Sequence, residues 1–288
     1  MGERMVIACR ELMGTPFLAE SKLPLPPVGH VRFRVATMDC CTAIYNLIAL
    51  VHSRTANDLG RVLAALRFTD GPLDNHPATG SFISFASETL FKRAIPAGLV
   101  HDVTADVGRG VNLQVLRLKL QAHHRPRFLD DEENVTVPRY AREMDVIAYI
   151  GADSFDGVDW CRLRVGDIVL FTRGERLKDG SENFDFINHL GVAAPLAEGI
   201  GLLHATRHFT LPSVQPGTGV FYDEARTREQ IGFGLAGRYL GDDYVIRRDG
   251  DCFYGYDCTR PRLLLDYAKS NFAGIAVLRC GPQAMETA

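Results

Sequence analysis

Three short apolar segments follow one another in the second half of the chain, and they constrain its fold more than any other feature. They are GDIVLFTR (166–173), HLGVAAP (189–195) and GLLHAT (201–206). Apolar segments of this length, bounded by Gly, Pro or polar residues, are typical of strands. VNLQVLRLKL at 111–120 alternates as a strand does, and GIAVLR at 274–279 predicts a closing strand. The back half is therefore expected to form a sheet.

The front half has helical periodicity instead. Residues 3–13, 56–67 and 84–95 each fit a helix. Asp39 is a good N-cap for a further helix over residues 40–54, in which apolar side chains recur on one face. Helices followed by consecutive strands favour an α+β fold over a doubly wound one. We expect one domain over 1–288, with loop insertions.

Composition and charge exclude several classes of protein. The chain has 288 residues, 46% hydrophobic and 23% charged, with a net charge of -3 and no basic block that would indicate a nucleic-acid partner. Its seven cysteines are odd in number and irregularly spaced, which argues against a disulfide framework. No secretory signal or membrane-spanning run is recognisable. The expected location is a reducing cytoplasm, without membrane partners.

Two adjacent cysteines, Cys40 and Cys41, stand where the helix after Asp39 should begin. Backbone N–H groups without partners at a helix start favour an anion, so they lower the pKa of a thiol there. The same N–H groups can serve in an oxyanion hole. A cysteine here is therefore either a nucleophile or a small buried residue, and position alone favours the second.

Two histidines in neighbouring predicted strands change this balance. If the turn between the strands is centred between Leu196 and Ala197, His189 and His204 lie directly opposite on one side of the sheet. One imidazole can then activate a thiolate while the other orients it. A register slip of one residue would separate the two rings. A pair of structural histidines at the sheet surface is the alternative.

Several segments, in order along the chain, resemble one known family. "MGTPFLAE" and "MDCCTAIYNLIAL" are similar to the elements G-T-P-Y-x-A-G and D-C-T-T-F-V-E-N of the DUF1460 family. "GDIVLF", "NHLGV" and "LLHAT" resemble its G-D-I, S-H-V-G-I and I-H-A-S elements. The family is described as N-acetylmuramoyl-L-alanine amidase-like, within the NlpC/P60 papain-like superfamily. The resemblance implies a papain-like fold, with a nucleophile helix packed on an antiparallel sheet.

The resemblance also assigns roles to residues. Cys40 matches the nucleophile and Cys41 a threonine position, a choice that periodicity does not make. His189 matches the general base and His204 the residue that orients it. In related enzymes the acidic residue before the nucleophile binds a substrate amine, so Asp39 either does this or only caps the helix.

Two departures from the family pattern bear on the substrate pocket. The tyrosine of the family element G-T-P-Y is replaced by Phe17 in this chain, so the tyrosine hydroxyl is absent. Phe17 is another residue that the resemblance implies for substrate binding. The family Ser-Asp-Trp segment reads Ser87-Glu88-Thr89, without the tryptophan. The pocket for a wall muropeptide is therefore expected to be reshaped.

Taken together, these features predict a cysteine-dependent amide hydrolase that acts through an acyl-enzyme on a peptide or sugar-peptide amide. A transferase that forms amides, with a carrier-bound acyl donor, is the first alternative. A catalytically silent binding module is the second. Neither metal nor organic cofactor is expected, because the proposed cysteine chemistry requires none. A metal site at His123-His124, in a predicted loop over 121–137, is also disfavoured, because the pair lacks partners at ligand spacing. The sequence does not indicate an oligomeric state.

Overall fold

The helices lie mainly in the N-terminal part of the chain, close to the positions that the sequence predicted. The computed structural model describes residues 1–12, 15, 33, 35–36, 38–68, 82–83, 86, 88–118, 123–125, 137–138, 145–174, 187–196, 199–205, 233–235, 244–249, 252–257, 264–265, 268–269 and 272–281. The α-helices are α1 (Gly2–Leu12), α2 (Cys40–His52), α3 (Ala56–Arg67) and α4 (Thr104–Val107). The helix expected over 84–95 is a π-helix over Glu88–Ala94.

Strands make up most of the remaining described residues. They are β1 (Phe82–Ile83), β2 (Val100–Asp102), β3 (Gln114–Leu118), β4 (His123–Arg125), β5 (Val137–Pro138), β6 (Asp145–Gly151), β7 (Ile168–Thr172), β8 (His189–Leu196), β9 (Gly199–Ala205), β10 (Phe233–Leu235), β11 (Tyr244–Asp249), β12 (Cys252–Asp257) and β13 (Gly274–Cys280). The main sheet has the order β10-β9-β8-β7-β13-β6-β3, and β2 also pairs with β13. Its described ladders are all antiparallel.

The loop predicted over 121–137 is wrong at two points, because residues 123–125 form β4 and Val137 begins β5. Strand β4 pairs with β1 and β5 in a small separate sheet. The segment is polar and has no apolar alternation of its own. Pairing with neighbours that are distant in sequence therefore decides its conformation, which a local pattern cannot reveal.

Helix α2 is buried on every side and anchors the helical layer. It contacts α1, α3, β8 and β9, and nine of its thirteen residues are buried. Its apolar side chains include Ile44, Leu47 and Ile48, each at most 1% exposed. Burial of one such side chain contributes about 1.5–3 kcal/mol to folding. The start of α2 is therefore held firmly against the sheet.

The main sheet separates two hydrophobic cores. Leu190 and Val192 of β8 pack with the helices, whereas Ala193 belongs to the core on the other face. The second core includes Phe155 and Leu264, from segments that cover this face. Alternation along the strand places successive side chains on opposite faces. The architecture is thus a mixed α+β fold with an antiparallel sheet covered on both sides.

An ion pair ties the start of β7 to the end of β13. The Asp167 carboxylate, 1% exposed, accepts hydrogen bonds from Arg279 Nε at 2.7 Å and Nη2 at 2.8 Å. It also accepts from the backbone N–H of Arg164 at 2.8 Å. This bidentate geometry satisfies a charge that would be costly to bury alone. Among the described residues, no helix combines the length and apolar character needed to cross a bilayer.

Candidate active site

The first turn of α2 is fixed by its N-cap, as expected. Asp39 has an extended backbone, and its side chain accepts a hydrogen bond from Thr42 N–H at 2.8 Å. Its carbonyl accepts the first helical bond, from Ala43 N–H at 2.9 Å. Cys40 and Cys41 are therefore the first two helical residues, where N–H groups have no partner within the helix.

The two histidines meet side by side, although the predicted register is wrong. Leu196 pairs with Gly199 and Val192 with Leu203, so the ladder is offset by two residues from the predicted one. Continued along the strands, this register places His204 opposite Gly191, with His189 as its diagonal neighbour. An offset of two keeps both side chains on one face, and diagonal neighbours remain within reach of long side chains.

The imidazole rings are directly hydrogen-bonded. His189 Nε2 lies 2.5 Å from His204 Nδ1, and the ring centroids are 4.8 Å apart with planes at 80°. Both side chains are buried. The edge-to-face arrangement directs a nitrogen of each ring at the other, so one must donate and the other accept.

The low pKa of His204 allows its ring to act as an acceptor in this bond. Burial lowers the pKa of His204 well below its usual value, and the nearby His189 lowers it further. His204 is therefore neutral, and in one of its two tautomers Nδ1 can accept a hydrogen bond from His189 Nε2. In that tautomer the second nitrogen of His189, Nδ1, is the one available to a cysteine.

Cys40 interacts with His189 and ionises readily. Its pKa is lowered to about 5, first by a hydrogen bond from Cys41 and then by the hydrogen bond and charge of His189. Burial and the negative charge of Asp39 act in the opposite direction. Cys40 is therefore a thiolate at neutral pH. The other buried cysteines differ, because burial raises the pKa of Cys280 to about 12 and that of Cys9 further.

Cys40 and His189 meet where their elements begin. His189 pairs with Phe171 of β7 and shares its face of the sheet, which is the face of the second core. Helix α2 packs on the opposite face. Contact is possible because Cys40 is the first residue of α2 and His189 the first of β8, so the site lies at the border between the two layers.

Two aromatic rings contact the imidazole of His189, and the sequence analysis did not predict either contact. Phe272 stacks on it, with planes 7° apart and centroids 6.1 Å apart, and Phe171 lies 5.8 Å away. These phenylalanines also contact each other at 4.9 Å. Phe272 lies two residues before the first residue of the closing strand, so only the pairing of β13 with β7 could have revealed its place beside β8.

The remaining expectations have mixed outcomes. The structure brings Cys40, His189 and His204 together and shows Asp39 as the helix cap. Phe17 and Ser87 lie outside the described residues, and Thr89 is buried at the start of the π-helix. Within the part of the chain that the structure describes, no three side chains of the metal-binding kind cluster.

Known proteins share the sequence pattern and the fold. The AmiA-like family model, described as N-acetylmuramoyl-L-alanine amidase-like, matches residues 8–216. No functionally curated protein matches the sequence.

Among solved structures, a Legionella pneumophila protein of the DUF1460 family superposes with a TM-score of 0.61 at 14% identity, covering 98% of this chain and 89% of that one. An N-acetylmuramoyl-L-alanine amidase from Bacteroides uniformis has a TM-score of 0.59 at 14% identity, covering 97% and 98%. The family match spans well over half of the sequence, and the chain therefore belongs to the AmiA-like, or DUF1460, family.

Proposed function

We propose that this protein is a cysteine amidase that hydrolyses a peptide or sugar-peptide amide through an acyl-enzyme. The observation that carries the proposal is the meeting of an ionised Cys40 with the hydrogen-bonded pair His189 and His204. A nucleophile, a base and an orienting group in this order form the constellation of triad hydrolases. The papain-like NlpC/P60 assignment of the fold is part of the same proposal.

In the first half of the reaction, the Cys40 thiolate attacks the amide carbonyl carbon. The oxyanion that forms accepts a hydrogen bond from the backbone N–H of Cys40, which has no partner within the helix. His189, protonated at Nδ1, gives that proton to the leaving nitrogen, and the C–N bond breaks. A thioester on Cys40 and a free amine remain.

In the second half, water attacks the thioester while His189 Nδ1 takes its proton. The C–S bond breaks, the carboxylic acid leaves, and the thiolate–imidazolium pair is restored. His204 accepts from His189 Nε2 throughout, so the ring keeps its orientation while Nδ1 gains and loses a proton. Asp39 caps the helix, and we propose that its carboxylate also faces the substrate.

The substrate class follows from the family description and the similar amidase structures. These suggest the amide between N-acetylmuramic acid and L-alanine, as in a muropeptide. We propose that Phe17 contributes to the pocket. We also propose a reducing compartment, the cytoplasm, as the place of action, because the seven cysteines are odd in number and irregularly spaced.

The test is hydrolysis of an N-acetylmuramoyl-L-alanine peptide followed by mass spectrometry. Replacement of the nucleophile, Cys40→Ala, should lower kcat/KM by at least about 10³-fold, because the acyl-enzyme cannot form. The matched control is Cys161→Ala, which removes an exposed cysteine and should leave the rate unchanged. Turnover by the Cys40→Ala protein would overturn the proposal.

The same assay separates the alternative chemistries. With candidate amines present, a conjugate that forms faster than the hydrolysis product would identify a transferase. A silent binding module would give no product and a Cys40 thiol that is alkylated by iodoacetamide with a pKa near the free value of about 8.5.

A further inference from the structure

The second cysteine of the pair lies against the nucleophile. Cys41 Sγ is 4.0 Å from Cys40 Sγ, and both side chains are half-buried at the start of α2. The family pattern places threonine at this position, so a sulfur here distinguishes this chain. Cys41 is absent from the three-residue mechanism above, yet it is a sulfur neighbour of the reacting atom.

A disulfide between these residues is disfavoured by geometry. Neighbouring Cα atoms across a trans peptide are about 3.8 Å apart, below the roughly 4.4 Å minimum usual for disulfides. The observed sulfur separation of 4.0 Å is also about twice an S–S bond length. The two residues therefore remain thiols while α2 keeps its first turn, and the interaction open to them is a hydrogen bond.

The direction of that bond follows from the charge on Cys40. A thiolate can only accept, so the proton between the two sulfurs belongs to Cys41. An S–H group is a weak donor to neutral acceptors, but a hydrogen bond to an ionised acceptor is roughly twice as strong. The titratable groups that act on Cys40 are Cys41, His189 and Asp39, and Cys41 has the largest lowering effect on its pKa.

We propose that Cys41 is a positioning residue, whose S–H donates to the Cys40 thiolate and holds the sulfur ready to attack. The inference rests on the proposed function, since it assigns Cys40 as the nucleophile. His189 then binds the thiolate from β8 and Cys41 binds it from within α2. After acylation the sulfur is no longer charged, so this bond is strong in the free enzyme and weak in the thioester.

The experiment measures alkylation of Cys40 by iodoacetamide against pH, without substrate. Tandem mass spectrometry of the peptide that contains both cysteines reports each one separately. Cys41→Ala removes the donor, so the midpoint for Cys40 should move upward from about pH 5 by roughly one unit or more. Cys41→Ser supplies an O–H donor at the same place and should restore most of the shift.

Several outcomes would overturn the inference. An unchanged midpoint in Cys41→Ala would do so, as would failure of the serine variant to rescue while urea unfolding shows both proteins folded. A Cys41 that titrates near pH 5 in Cys40→Ala would show the roles reversed. Because alkylation needs no turnover, these results differ from failure of the proposed function, which would appear as persistent hydrolysis by Cys40→Ala.

Discussion

At the scale of single residues, His204 has the most narrowly defined task. It is buried and neutral, and we propose that its Nδ1 accepts a hydrogen bond from His189 Nε2. Removing this acceptor would leave a buried N–H of His189 without that hydrogen bond and would free the His189 ring to rotate. Loss of such a hydrogen bond costs about 1–3 kcal/mol, which corresponds to roughly 5- to 150-fold in rate.

We therefore expect His204→Ala to lower kcat by about this factor, with a smaller change in KM. His204→Asn retains an acceptor oxygen and should recover part of the loss. Steady-state kinetics on both variants, with urea unfolding as the control for folding, make the comparison. Equal activity of the alanine and asparagine variants would argue against an orienting role.

Much of this residue-scale arrangement could be anticipated, but not all of it. The sequence predicted a cysteine at the start of a helix and His189 and His204 on one face of neighbouring strands, and the family resemblance selected Cys40 over Cys41. Contacts made by Phe272 and Cys41 depend on where side chains lie in space. The stacking of Phe272 on His189 requires β13 and β8 to flank β7, which no local pattern encodes.

At the scale of secondary-structure elements, the start of α2 combines stability with reactivity. Asp39 satisfies an N–H of the first turn and also places a negative charge near the Cys40 thiolate. The cap stabilises the helix, whereas the charge opposes ionisation of Cys40. These two effects can be separated by replacing the carboxylate with groups that retain one property and not the other.

Asp39→Ala should lower the free energy of unfolding by about 1 kcal/mol, because the cap is lost. Asp39→Asn keeps a capping oxygen and should cost much less. Both variants remove the charge, so the pKa of Cys40 should fall below about 5 in each, provided the helix start remains intact. Urea unfolding and iodoacetamide titration measure the two quantities. A rise in the pKa of the asparagine variant would contradict this account.

The elements themselves were predictable to different degrees. α3 spans residues 56–67 as expected, because its capping box and amphipathic pattern are local signals. The hairpin of β8 and β9 was expected, but its register was wrong by two residues. An even offset keeps every side chain on the same face of the sheet, so the residue pattern does not distinguish the two registers.

At the scale of the whole molecule, β13 holds the sheet together. It pairs with β7 along one edge and with both β6 and β2 along the other. Its first residue, Gly274, fits against the carbonyl of Ile150 and the ring of Tyr149, where a Cβ would collide with both. Backbone cannot move aside as a flexible side chain can, so this position requires glycine.

Gly274→Ala should therefore destabilise the protein by about 1–3 kcal/mol, as overpacking of a core does. The matched control is Gly60→Ala in α3, where nothing lies within 4 Å of the added methyl group. That change should stabilise the helix by about 0.5–1 kcal/mol. Urea unfolding of both variants tests the pair, and destabilisation by Gly60→Ala equal to that by Gly274→Ala would contradict the packing argument.

The fold class was predictable at this scale, whereas the assembly of the sheet was not. Helices before strands indicated the α+β class, and 274–279 was identified as a closing strand. Nothing local indicated that β13 would lie in the middle, or that β2, only three residues long, would pair with it. Strand order depends on contacts between residues far apart in sequence, and one sequence does not reveal these.

The border position of the site has a consequence for its robustness. Cys40 belongs to the helical layer and His189 to the face shared with the second core, so neither layer alone contains the proposed catalytic centre. Loosening of either layer would separate Cys40 from His189 before the chain unfolds completely. Enzymatic turnover should therefore disappear at a lower denaturant concentration than helical circular dichroism, which makes activity the more sensitive indicator of damage to the fold.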